Sequence, residues 1–261
     1  MSSSKTTSSA KTKKSGGFDK ETGAINRDVE VYGEKKKRGY GRTAAHDDHP
    51  LLKPQLSIIT GPTGSGKTVL ALNLLDEIVK NASAKKLGKI MFYTGSPQDK
   101  AIKSLDEDLV DIYGADNEQA LCDDLRRLQN DMRTVEDDDK PLNILILDDT
   151  GASKLLAPSQ VKGSVIGEIF VSHRHLGLHV IVLAQRVKTM LSPFLLANMS
   201  QLFLFAGKNR DDEKELLKNI PLAPEQILKQ LAIISSDPHK FLWINISKRS
   251  VMLGFSECVL S

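Results

Sequence analysis

Gly61-Pro62-Thr63-Gly64-Ser65-Gly66-Lys67-Thr68 is the stretch whose reading decides the fold. Triphosphate binding needs many donors converging on clustered negative charge, and backbone amides converge only where side chains do not obstruct them. The glycines at 61, 64 and 66 meet that need. Lys67 is then placed to reach the β and γ phosphates of ATP. The Thr68 hydroxyl is placed to hold Mg²⁺ at the mouth of the next helix, whose dipole favours an anion. The cofactor-binding set expected from this stretch is Gly61, Pro62, Thr63, Gly64, Ser65, Gly66, Lys67 and Thr68.

The flanks meet the structural requirement of such a loop. Gln55 to Thr60 is a short β-branched run that ends at the first glycine, and Thr68 to Asn81 places Val69, Leu72, Leu75, Ile78 and Val79 at helical spacing. Further out, Lys89 to Tyr93 reads as a second strand. Ser104 to Arg133 has helical spacing in Leu105, Leu109 and Ile112 and again in Leu121, Leu125 and Leu128, and it reads as surface helix before the acidic loop 136–139. Asn143 to Leu147 is continuously apolar, as a strand buried on both faces should be. Gln160 to Leu176 reads as helix, and His179 to Ala184 and Gln201 to Ala206 as strands. Two short helices follow near Asp211 to Lys218 and Ala223 to Gln230, and Lys240 to Ile246 with Ser250 to Phe255 form a hairpin around Ser247-Lys248-Arg249. Strands alternating with helices imply an α/β fold: a P-loop NTPase of the RecA/ASCE-like kind, with a mostly parallel central sheet, helices on both faces and a C-terminal β-hairpin. Ligands of such sheets sit at the carboxyl ends of the strands.

The acids and amides that chemistry needs stand at those ends. Asp148 follows four apolar strand residues and is the expected Mg²⁺ ligand, and Asp149, one residue on, is the expected base that orients the attacking water. Gln185 closes the apolar strand before it and can bond phosphate and water at once. A cation at the transition-state oxygens would complete the set. Arg174, in Ser172-His173-Arg174-His175, is the first candidate, arriving from a neighbouring subunit, with Arg186 and Arg210 as rivals. The expected catalytic residues are therefore Lys67, Asp149, Gln185 and Arg174, and the metal ligands Thr68 and Asp148. His173, His175 and His179 have no cysteine or acidic partner nearby in sequence and read as surface or packing histidines.

Composition sets bounds. The chain has 261 residues, 40% of them hydrophobic and 5% aromatic, which suits one α/β domain. No run approaches the roughly 20 apolar residues of a membrane span. The two cysteines, Cys122 and Cys258, lie in apolar-periodic segments and read as reduced thiols. The net charge of +3 is local: residues 1–50 carry 11 Lys/Arg against 7 Asp/Glu, including Lys35-Lys36-Lys37-Arg38. That stretch is rich in Ser, Thr and Gly and reads as a disordered basic tail, and 51–261 as the P-loop ATPase domain.

Together the Gly61 to Thr68 loop, the doubled acid Asp148-Asp149, the segment Ser172 to Gln185 and the stretch Ser192-Pro193 to Asn198 resemble the virion DNA-packaging ATPases of large double-stranded DNA viruses and their virophages, within the FtsK/HerA group. The resemblance spans about Leu51 to Phe255. It implies a homo-oligomeric ring of about five or six subunits that threads double-stranded DNA into a capsid, docked on capsid or portal-vertex proteins, in the virion and at the assembly site in the host-cell cytoplasm. It also implies Lys67 and Thr68 on nucleotide and Mg²⁺, Asp148 on Mg²⁺, Asp149 on water and Gln185 as sensor. Members often carry an arginine two residues before the asparagine matching Asn198; Leu196 stands there, which adds weight to Arg174. The alternatives are a P-loop kinase of nucleoside-type small molecules, although no arginine-rich lid stands out, and a nucleotide-regulated DNA-binding module without translocation. A GTPase would need a guanine-reading order that Lys208-Asn209-Arg210-Asp211 does not have.

Overall fold

The computed structural model describes residues 17–19, 24–26, 53–82, 87–148, 161–185, 191–207, 210–255 and 257–260. The basic tail expected over 1–50 lies outside them, apart from two short strands, β1 (Gly17–Asp19) and β2 (Ala24–Asn26), which pair antiparallel. From Leu56 onward strands and helices alternate. The first units are β3 (Leu56–Thr60), α1 (Lys67–Asn81), β4 (Leu87–Thr94), α2 (Lys100–Lys103), β5 (Val110–Tyr113) and α3 (Glu118–Met132). Then come β6 (Leu142–Asp148), α4 (Val165–Ser172), β7 (Leu178–Ala184), α5 (Pro193–Asn198), β8 (Gln201–Phe205), α6 (Arg210–Leu217) and α7 (Pro224–Ile234). Three antiparallel strands end the chain: β9 (Phe241–Asn245), β10 (Ser250–Leu253) and β11 (Glu257–Leu260).

These strands form one nine-stranded sheet in the order β11-β10-β9-β8-β3-β7-β6-β4-β5. From β8 to β5 every neighbouring pair is parallel, and β9 joins β8 antiparallel, Phe241 opposite Phe205. Alternation along each strand feeds two cores. Leu145, Leu147, Val180 and Val182 pack against α3 and α4 on one face, whereas Ile144, Ile146, Ile181 and Leu183 pack against α1 on the other. Buried on both sides, these strands need no polar face, which is why they read as unbroken apolar runs. The sheet is mostly parallel, with helices on both faces and the hairpin β9–β10 at its end.

One expected element is different. Ser104 to Arg133 is not continuous helix: Val110–Tyr113 is the edge strand β5, paired with Ile90 to Tyr93, and only α3 is helical. Leu105, Leu109 and Ile112 matched a helical period by coincidence, while the β-branched Val110 and Ile112 favour a strand. Gly114 breaks the chain after it, its amide bonded to the Asn117 side chain at 2.5 Å. The edge is tied down by charge, Lys89 Nζ reaching Asp111 at 3.2 Å and Asp124 at 2.9 Å. Of the helix expected over Gln160 to Leu176, Gln160 lies outside the described residues and Val161 is helical; after the turn at 162–164, α4 starts at Val165, where the Ser164 hydroxyl accepts from the Gly167 amide at 3.2 Å. Among the described residues no helix is long and apolar enough to cross a membrane.

Candidate functional site

At the carboxyl end of β3 the chain leaves the sheet through the glycine-rich loop. A Cβ on Gly61 would stand 2.6 Å from the Phe205 Cβ, so the loop can pass β8 this closely only with glycine there. Gly66 has φ +97°, left-handed backbone, and its carbonyl accepts the first turn of α1 from the Leu70 amide at 2.8 Å. The loop thus enters the helix with the N-terminal amides of α1 directed toward the site.

Lys67 is the first residue of α1 and is buried, 8% exposed. A cation so enclosed needs acceptors, and its Nζ donates to the carbonyls of Gly61 at 3.0 Å and Pro62 at 2.9 Å. The ammonium therefore sits beneath the arch of the loop, within reach of anything the arch encloses.

Sheet order positions the rest. β7 lies between β3 and β6, so Gln185, directly after β7, stands between the loop and Asp148 at the end of β6. Two strand spacings separate β3 from β6, about 10 Å, and the first turn of α1 crosses that gap: Thr68 Oγ1 donates to Asp148 Oδ2 at 2.9 Å. Thr63 Oγ1 donates to Gln185 Oε1 at 3.2 Å. Asp148 is 8% exposed and lies in register with buried Thr94 on β4. Loop, acid and amide, far apart in sequence, thus converge on one edge.

The oxygens present suit a hard divalent cation. Adjacent ligands of octahedral Mg²⁺, with bonds of about 2.0–2.1 Å, lie about 2.9 Å apart, and that is the spacing of Thr68 Oγ1 and Asp148 Oδ2. Hydroxyl and carboxylate are the donor types Mg²⁺ takes. The remaining positions of its shell would fall to water and phosphate oxygens.

Among the described residues, Arg174 is not brought into this cluster. Asp149 and Arg186 lie outside the described residues, as does the side chain of Arg210. Arg174 lies in a 3₁₀ turn, His173–Leu176, that precedes β7. That is the opposite edge of the sheet, one strand length or about 20 Å from Gln185. The Gly177 carbonyl there accepts from the Asn143 amide at the start of β6, at 2.8 Å. Arg174 is exposed, and it can meet a phosphate loop only in another subunit. Leu196 is buried on α5 and packed in the core.

The histidines of this segment serve packing. His173 is buried, with Nδ1 donating to the Phe170 carbonyl at 3.0 Å, and His179 bonds Ser57 Oγ at 3.3 Å. Burial pushes the His173 pKa below its ordinary value, and the nearby Arg174 and His175 add to this against the opposing Phe170 bond. His175 is exposed.

One contact was not legible in the sequence. His239, in the turn before β9, places Nδ1 3.2 Å from the Ser65 carbonyl oxygen. The hairpin itself is visible as two apolar runs, but nothing local announces that its first strand joins β8 and so brings residue 239 to the loop.

A family model described as "Poxvirus A32 protein" matches residues 46–259. No curated protein matches the chain in sequence. Among solved structures, the DNA-packaging ATPase B204 from Sulfolobus turreted icosahedral virus is similar at TM-score 0.57 and 16% identity, over 77% of this chain and 97% of that one. The genome packaging NTPase B204 of Sulfolobus turreted icosahedral virus 2, bound to ATP-gammaS, gives TM-score 0.54 and 16% identity over 76% and 95%. EssC (ATPases 2 and 3) from Geobacillus thermodenitrificans gives 0.58 and 16% over 80% and 40%. At such identity these likenesses establish a shared P-loop ATPase fold.

Proposed function

The chain belongs to the poxvirus A32 protein family, and from that premise we propose that it is a DNA-packaging motor ATPase, coupling hydrolysis of ATP to ADP and phosphate with movement of double-stranded DNA into a viral capsid. The observation that carries this reading is the Thr68–Asp148 hydrogen bond, because it joins the loop to a carboxylate two strands away in the geometry a nucleotide-bound metal requires. The similar B204 proteins are a genome packaging NTPase and a DNA-packaging ATPase, with ATP-gammaS and AMPPCP bound in two of their structures.

Each residue has a role derived from its position. The glycine-rich loop and the first amides of α1 bind the phosphates, and Lys67 exchanges its loop carbonyls for β- and γ-phosphate oxygens. Thr68 and Asp148 would hold Mg²⁺, which would offset the negative charge of the phosphates. Gln185, tied to Thr63, orients water and the terminal phosphate. Asp149, one residue beyond β6, takes the proton from that water. Arg174 is supplied by a neighbouring subunit in a ring, which is consistent with its place on the far edge of its own sheet. The basic residues 1–50 form an arm on the 51–261 ATPase domain, for DNA or for the capsid, and the assembly acts where virions form.

ATP hydrolysis measured with and without long duplex DNA tests the proposal. A motor is expected to hydrolyse faster with DNA, and turnover indifferent to DNA would sink the translocation reading while leaving nucleotide binding intact.

A further inference from the structure

The turn between α7 and β9 reaches the phosphate loop from the C-terminal side. Ser65 carbonyl oxygen can only accept, so the 3.2 Å contact with His239 has Nδ1 carrying the hydrogen and donating. A Cβ on Gly66 would lie 3.7 Å from the same nitrogen, which puts the ring against the second half of the loop. The turn is itself fixed. Asp237 accepts the His239 amide on Oδ1 at 3.0 Å and the Lys240 amide on its carbonyl at 3.2 Å, and donates its own amide to Ile234 at 3.0 Å. Two residues on, Phe241 starts β9 opposite Phe205, the residue that closes on Gly61.

We infer that His239 is a positioning residue of the phosphate cradle: it holds the Ser65–Gly66 peptide in the orientation that turns the Gly66 amide toward bound phosphate. This rests on the nucleotide-binding reading above. In a trans peptide the C=O and N–H point in opposite directions. With the Ser65 oxygen tied outward to His239, the Gly66 N–H faces the inner side of the loop. Glycine at φ +97° has little preference of its own for one peptide orientation over the flipped one, so an external tether decides it. The Ser65 amide is held separately, on the Pro62 carbonyl at 3.3 Å. His239 is the contact that extends this control from the antiparallel end of the sheet.

The test uses the full chain and its His239→Ala, His239→Asn and Lys67→Ala variants, with ATP as the probe. Steady-state hydrolysis gives KM and kcat, and amide hydrogen exchange reads the loop without nucleotide. Losing one hydrogen bond is expected to raise KM for ATP about fivefold, with kcat changed less than about twofold. Exchange should quicken over residues 61–68 and not across the sheet. His239→Asn, which carries an amide donor at the reach of Nδ1, is expected to restore both. Unchanged KM and loop exchange in His239→Ala would overturn the inference, as would failure of His239→Asn to restore them in a chain of unaltered thermal midpoint. Lys67→Ala separates the two claims: if it still hydrolyses ATP, the nucleotide reading itself fails, whatever His239 does.

Discussion

The Thr63 hydroxyl donates to the side-chain carbonyl of Gln185 at 3.2 Å, joining the arch of the phosphate loop to the end of the strand that separates it from Asp148. That bond holds the Gln185 side chain against the phosphate loop. Gln185→Ala is therefore expected to lower kcat about 10²-fold, the cost of one positioned donor at a reacting phosphate, with ATP binding little changed. Stopped-flow binding and steady-state turnover check this pair of outcomes. In the same assays Asp149→Asn is expected to bind ATP and fail to hydrolyse it.

Gly61 is sterically committed to Phe205. Gly61→Ala would press a methyl group to 2.6 Å from the Phe205 Cβ, and the strain is expected to cost about 1–3 kcal/mol. Because β8 is held by β3 and β9, the loop is the side that gives way. Thermal denaturation should show the loss of stability, and ATP affinity should fall with it. Gly61→Ala with Phe205→Gly, which removes the opposing Cβ, should recover part of the affinity.

The position of Arg174 on the far edge makes its role a question of subunits. Arg174→Ala is expected to lose turnover as a homo-oligomer and to regain part of it when mixed with Lys67→Ala subunits, since each supplies what the other lacks. Absence of rescue between two folded, assembling variants would assign the trans cation to Arg186 or Arg210.

Acid should weaken the fold through His173. Its folded pKa lies below the ordinary histidine value of about 6.5 because the ring is buried. Below that value the unfolded chain takes up a proton that the folded chain resists, so stability is complete above about pH 6.5 and falls as pH drops through the folded pKa. His173→Asn removes the titration while keeping a donor for the Phe170 carbonyl. Urea midpoints at pH 7.5 and 5.5 should differ less in that variant than in the native chain.

What the sequence by itself determined is local. Glycines at fixed offsets, a β-branched run before them and a 3.6-residue period after them encode backbone angles and one-sided burial within a short window, so β3, the loop and α1 were readable to within a residue. Continuous apolar runs ending in Asp148 and Gln185 likewise reported strands buried on both faces and their polar ends. The same local logic failed at Val110–Tyr113, where spacing imitated a helix and only pairing with β4 made an edge strand.

Tertiary structure alone decided the strand order. Placing β7 between β3 and β6 sets Gln185 between the loop and Asp148, and joining β9 to β8 brings His239 onto Ser65. Those neighbours are chosen by hydrogen bonding and packing between segments far apart in the chain, and no window of sequence contains both partners. The phosphate loop was legible because its chemistry is carried by consecutive residues; the site around it became visible only when the sheet assembled its other walls.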